Sequence, residues 1–269
     1  MLGASRESLA ACQEGIDARR HDAMFARLPE DLFAVASLLD GQRQLLAALA
    51  DSGQPSSFRD GLVRDVFATR VSELAMDVVL LVVSRRWSSE SDMVLALELL
   101  ADQAAFTVAQ NDSSLDATEE ELFRFGRALD ASSDLQMALT DPAQSATVKS
   151  NIVRDLLAGR GTVATSQVLQ YAVGHLHGRR IDSVIETLCA LAAQQRQRMV
   201  AEVRVAAPLD DAQRTRLQSL LSRLKGREVR LNVAVDPSVL GGVHVQIGDE
   251  VIDGTVASRM EQARRALLG

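Results

Sequence analysis

The chain has 269 residues, 47% of them hydrophobic, 24% charged and 3% aromatic, with a formal net charge of -7. That length and mix suit about two soluble globular domains, and the acidic balance disfavours broad binding to a nucleic-acid backbone. So few aromatics leave the core to Ala, Leu and Val, whose small side chains let helices approach closely and favour bundles.

The opening MLGASRESLA lacks the apolar core of a secretory signal. Residues 4–19 read as a first helix, with Ser5 as a possible N-cap. It carries Cys12, whose partner-free spacing from Cys189 predicts two reduced thiols. Pro29 suits the first turn of a second helix, with Leu32, Phe33, Ala36 and Leu39 on its buried face and Gly41 at its end. A short helix to Ala50 follows, then the turn DSGQPS and a helix over Ser57–Phe67. Val71, Leu74, Ala75, Val78, Leu81 and Val82 make an amphipathic stripe. Its run Val78–Val83 is far short of the ~20 residues that span a bilayer, so membrane association is expected only through a partner. Ser91 or Asp92 is the expected cap of a long helix reaching about Gln110. After NDSSLDATEEEL, Thr118 and Glu121 have capping-box spacing.

The pattern then recurs. Residues 30–70 laid on 120–160, at a constant offset of 90, match at fifteen of forty-one positions. The matches include Leu32/Leu122, Phe33/Phe123, Asp40/Asp130, Leu49/Leu139 and the triplet Val63-Arg64-Asp65 against Val153-Arg154-Asp155. They cover turn residues as well as apolar ones, so helical periodicity alone cannot produce them, and a duplicated helical unit is the reading. More loosely, Val71–Ser84 is set against Val163–His175, and Met93–Gln103 against Val184–Gln194 after one inserted residue. The expected domains are a first bundle over 1–110, a second over 111–198 that shares the 92–110 helix, and a small α+β domain over 199–269.

After residue 198 the pattern changes. Val200, Glu202, Val203 and Val205 begin a strand that Pro208 ends. Asp210 or Asp211 caps a helix to Lys225, and Gly226 closes it. Val229, Leu231, Val233 and Val235 alternate with polar residues, as do Val243, Val245 and Ile247. Gly248-Asp249 turns into Val251-Ile252, and Thr255 caps a last helix. The fold class is mainly α, tandem antiparallel helical bundles followed by a βαββα module. In DPSVLGG, Pro237 cannot donate to a ladder and stops the strand. Gly241-Gly242 supplies backbone freedom where the chain turns into the next strand. A phosphate cradle would need a following helix, and a strand follows instead.

Val229, Leu231, Val235, Asp236, Val239, Gly241, Gly242, Val243, Val245, Gln246 and Gly248, followed by Asp253-Gly254-Thr255, together carry a resemblance. They resemble the C-terminal signature of the delta subunit of bacterial F-type ATP synthase, a family that includes the mitochondrial oligomycin-sensitivity-conferring subunit. Gly178-Arg179-Arg180-Ile181 before a long helix extends the similarity, which covers residues 120–269. Residues 1–110 depart from the family, whose usual member has one six-helix bundle. The resemblance implies a non-catalytic stator, or peripheral-stalk, protein without cofactor, at the cytoplasmic face of the cell membrane within the synthase complex. Its bundle would hold N-terminal helices of the alpha subunits and its C-terminal module the b-type stalk, coupling hydrogen ion transport to ATP synthesis.

No catalytic or metal constellation emerges from the residues. His175 and His177, two apart, would point to nearly opposite sides of a helix. The run Glu119-Glu120-Glu121 suits the positive end of a helix. Helix faces remain as candidate sites. Val78, Val79, Val82 and Val83 are apolar around more of their helix than one core face needs, and Val168, Tyr171 and Ala172 hold the equivalent place. These are core packing or a groove for a partner's amphipathic helix. Trp87, after Arg85-Arg86, is an interface anchor or a satellite-core residue. The alternative function is a helical adaptor with a ligand-sensing sheet domain near Gly241-Gly242.

Overall fold

The computed structural model describes residues 1, 3–197, 200–225, 229–236, 239, 241–247 and 250–254. They fall into two compact units, Met1–Ala192 and Ala193–Gly269. Gly226, Pro237, Gly248, Asp249 and the helix expected from Thr255 lie outside the described residues.

The first unit is helical. It runs α1 (Ala4–Asp17), a 3₁₀ turn (Phe25–Arg27), α2 (Leu28–Gly41), α3 (Arg43–Ala50), α4 (Ser56–Phe67) and α5 (Glu73–Ser84). It continues with α6 (Glu90–Asn111), α7 (Leu115–Ala131), α8 (Ser133–Thr140), α9 (Ala146–Leu157), α10 (Val163–Gly174) and α11 (Ile181–Gln197). The boundaries of α3, α4 and α5 return in α8, α9 and α10 at an offset of 90 residues throughout. The looser pairing of Val71 with Val163 is therefore corrected by two residues: Glu73 corresponds to Val163, and the caps Ser72 and Thr162 correspond to each other. The junction carries Gly159 and Gly161 in the second half where the first has Thr69 and Val71, so identity gives no anchor there, while the hydroxyl cap fixes the register. From α6 to α11 the offset is 91, which places the inserted residue in the preceding loop.

Helix α6 is the centre of this unit. Met93, Ala96, Leu97, Leu100, Ala101, Ala104, Ala105 and Phe106 are all buried, and so are Glu98, Asp102, Gln103 and Thr107. A helix buried on every side has no polar face to give to water. It packs on α1, α2, α3 and α5 from one half of the repeat and on α7 and α10 from the other. Each fully buried Leu here is worth ~1.5–3 kcal/mol relative to exposure. One continuous core results, from Cys12 to Ala192.

Three caps differ from expectation. Helix α1 starts at Ala4 after Gly3, so Ser5 lies in its first turn and donates to Asp92 instead of capping. The Ser89 hydroxyl, not Ser91 or Asp92, accepts the Asp92 amide and starts α6. Helix α7 begins at Leu115, one turn before Thr118, so Thr118 and Glu121 form no capping box. Thr118 donates to the Ser114 carbonyl instead, and Glu121 reaches the start of α10. The first helix ends at Asp17 rather than 19.

The second unit contains β1 (Val200–Val205), α12 (Asp211–Lys225), β2 (Arg230–Val235), β3 (Val243–Ile247) and β4 (Glu250–Asp253). The sheet order is β2-β1-β3-β4, with β1 parallel to β2 and antiparallel to β3. Asp210 and Gln213 make a reciprocal capping box at the start of α12. Ala201, Val203 and Val205 face a small core with Leu221, Val229, Val245 and Ile247, while Glu202 and Arg204 alternate outward.

Candidate functional site

The densest polar cluster of the helical unit lies where its two halves meet. Glu98 projects from the buried middle of α6, and its carboxylate accepts from the Tyr171 hydroxyl (3.1 Å), from His177 Nε2 (2.7 Å) and from Arg179 Nη2 (3.3 Å). All three donors come from the end of α10 and the loop after it. From the first half, α2 supplies Phe33, which stacks on Tyr171 at 4.4 Å between ring centroids, and Asp40, 3.6 Å from His177 Nδ1. Tyr171 stacks in turn on His175 at 4.0 Å, and His175 Nε2 lies 3.2 Å from the Ser37 hydroxyl.

The geometry follows from where α10 stops. It ends at Gly174; His175 leaves helical dihedrals, and His177 (φ 49°) and Gly178 (φ 74°) are left-handed. His175 and His177 therefore do not diverge as they would on a continuous helix. Their rings lie 6.2 Å apart on the same side of the cluster. Among the described residues no group of three or more His, Cys, Asp or Glu is placed to hold a metal ion.

Beneath the cluster is a cavity of about 20 Å³, lined among others by Glu98, Asp102, Tyr171, His175, Arg179 and Thr187. That is room for one water. Burial, reinforced by Glu98 and opposed by Arg179, pushes the Asp102 carboxyl well above its ordinary range. Burial and the adjacent Glu98 also push the Tyr171 phenol up. His177 is raised, chiefly by its hydrogen bond to Glu98, against the opposing effects of burial and Arg179.

The apolar candidates lie inside. Val78, Val79, Val82 and Val168 are fully buried, and Ala172 is nearly so. Trp87 is 8% exposed, and its Nε1 donates to the Val82 carbonyl at 2.9 Å. The same carbonyl accepts the Arg85 amide at 3.2 Å, so the indole shares an acceptor at the end of α5. Of the sequence candidates, the cluster gathers Tyr171 with Ala172 at its edge. Glu98, Asp40, His177 and Arg179 join it from distant segments, which local periodicity does not reveal.

In the second unit, β1 is clamped between the two strands that flank the glycine pair. Val205 is in register with Val235 on one side and Val243 on the other. The Asp236 amide donates to the Val205 carbonyl at 2.9 Å, and the Gly254 amide donates to that of Val243. The chain must therefore cross the end of β1 between 236 and 242. Gly241 (φ 113°) and Gly242 (φ 84°) provide the positive-φ backbone for that crossing. Gln246 pairs with Glu202 on one side and Val251 on the other.

The family model described as "ATP synthase delta (OSCP) subunit" matches residues 100–267. The "ATP synthase subunit delta" of Streptomyces avermitilis is 42% identical over 267 residues, covering 98% of each chain. That of Parafrankia is 41% identical and covers 99% of each. The Nocardia farcinica protein of the same name is 41% identical, covering 99% of this chain and 100% of its own. The strands around β1 lie within the span that the family model matches, and the chain belongs to the ATP synthase delta (OSCP) subunit family.

Proposed function

We propose that the chain works as a mechanical connector in the stator of an F-type ATP synthase, transforming no substrate itself. Membership of the delta family makes it a structural subunit of that complex. The observation that carries the reading is the end-to-end match: 98% of this chain against 98% of a delta subunit. The additional helical half before α6 is therefore matched in its relatives as well. Among the described residues no helix is long and apolar enough to cross a membrane, so the chain meets the membrane through the complex.

On this reading the helical unit receives N-terminal helices of alpha subunits, and the sheet unit receives the b-type stalk. Residues 1–110 and 111–198 serve as two docking bundles with the α6 helix in common. The 90-residue recurrence of α3–α5 in α8–α10 supports two equivalent sites. The full burial of Val78, Val79, Val82 and Val168 supports docking through outward residues of the same helices, with those valines stiffening the platform. Val235, Asp236, Gly241, Gly242, Val243, Gln246 and Gly248 then act by shaping the sheet unit.

Reconstitution tests the function. Membranes depleted of the chain should lose ATP synthesis driven by a proton gradient while the detached head retains ATP hydrolysis, and adding the full chain back should restore coupling. Unimpaired synthesis without it would refute the connector role. Cross-linking within the assembled enzyme should join alpha N-termini to both 1–110 and 111–198. Links confined to one of them would reject the second docking site.

A further inference from the structure

We propose that His177 is a pH-graded latch between the two halves of the helical unit, holding Asp40 of α2 and Glu98 of α6 together only in its doubly protonated form. The inference concerns the chain alone and stands or falls independently of the stator reading.

The chemistry is elementary. A neutral imidazole has one N–H and can donate to one carboxylate; an imidazolium has two and carries charge for both. His177 faces Glu98 at 2.7 Å through Nε2 and Asp40 at 3.6 Å through Nδ1, so its two nitrogens address two different helices. Glu98 keeps Tyr171 and Arg179 as donors whatever the state of His177. Asp40, 43% exposed, meets the loop through His177 Nδ1, so the arm to α2 is the one that deprotonation releases.

The groups around the ring come from every packed element. Helix α2 presents Asp40, α6 presents Glu98 with Asp102 in the adjoining cavity wall, and α10 presents Tyr171, followed by His175 at its C-cap. The loop adds Arg179, and α11 contributes Val184, Thr187 and Leu188 to the cavity wall. Two carboxylates against one nearby guanidinium favour the imidazolium, and His177 is raised from 6.5, first by the Glu98 hydrogen bond. A group raised on folding stabilises fully below its unfolded value and ceases to do so as pH rises through its folded value. For His177 the contribution is complete below 6.5 and is lost above it. The His177 arm therefore loosens the junction on the alkaline side.

Spin labels on the full-length chain test this. Asp65→Cys and Asp155→Cys, in a Cys189→Ser background, place labels at exposed equivalent sites on α4 and α9. The inter-label distance distribution should broaden between about pH 6 and about pH 9. In His177→Asn, chosen because Asn tolerates left-handed backbone, it should not change with pH. The His177 ring titration, followed by NMR in the unsubstituted chain, should have its midpoint above 6.5 and move down in Glu98→Gln. A midpoint at or below 6.5 overturns the latch, even should the variants fail to fold. So does a distribution that ignores pH, or one whose broadening survives in His177→Asn.

Discussion

Glu98 is buried, yet its three protein donors, Tyr171, His177 and Arg179, all arrive from residues more than seventy positions later. Removing the acceptor takes a partner from all three at once, although Arg179 keeps the His175 and Leu176 carbonyls and His177 keeps Asp40 beside it. Since Arg179 is 36% and His177 32% exposed, water recovers part of the loss. Glu98→Ala should lower stability by about 2 kcal/mol, in the range for a hydrogen bond to a charged group. Tyr171→Phe keeps the stack on Phe33 and removes one bond, so about 1 kcal/mol is expected. Thermal melts of the two variants check the ordering, and equal losses would contradict it. Little of this cluster is legible in the sequence. Periodicity marks Tyr171 as a helix-face residue, but it carries no information on which buried carboxylate the phenol meets. The histidines were misjudged because a two-residue spacing was given helical geometry beyond Gly174. The signal that could have corrected this was present: Gly174 and Gly178 bracket the segment, and glycine at a helix end marks a left-handed exit.

The repeat is written in interhelix clamps as well as in apolar positions. In the first half, Asp31 of α2 accepts the Ser72 amide at 2.8 Å at the entrance of α5. In the second, Glu121 of α7 accepts the Thr162 amide at 2.9 Å at the entrance of α10 and takes the Thr165 hydroxyl as well. Residues 31 and 121 differ by the repeat offset of 90, as do 72 and 162. A carboxylate at a helix N-terminus satisfies an open amide and meets the positive end of the dipole. Asp31→Ala and Glu121→Ala should each cost about 1–3 kcal/mol, the price of a buried donor left without its partner. Urea midpoints of the two variants should therefore fall together, and an unchanged midpoint for either would break the equivalence. The helices themselves were readable, since apolar spacing and turn residues set α2 to α5 and their copies. The clamps were not, because Thr118 and Glu121 satisfy a local capping pattern. Only the start of α7 at Leu115 shows that the Glu side chain serves a helix forty-one residues downstream. The sheet unit was legible for the opposite reason: its alternating strands and glycine crossover are local signals.

At the scale of the whole chain, α6 decides what can be cut. Composition and repeat suggest a boundary at 110/111, but a division there leaves α7 and α10 without the helix they pack on. The family model begins at residue 100, inside α6, which is the same ambiguity seen from the relatives. Helix α6 packs on α2 within the continuous core, and it meets α10 beside Glu98 and Asp102. A fragment over 1–111 keeps α1 to α6 and the core of the first half, losing the cover that α7 and α10 give to α6 and that Tyr171 gives to Phe33. A fragment over 111–197 keeps five helices and lacks their common wall, and helices without a partner for the apolar face are marginal in water. The first should unfold cooperatively on heating; the second should show a broad, non-cooperative loss of helicity by circular dichroism. Extending the second to 90–197 should restore a cooperative transition at the cost of exposing Leu97, Leu100 and Ala104. A sharp transition in 111–197 would mean that the second half holds its own core, and that α6 is a neighbour to it rather than a member.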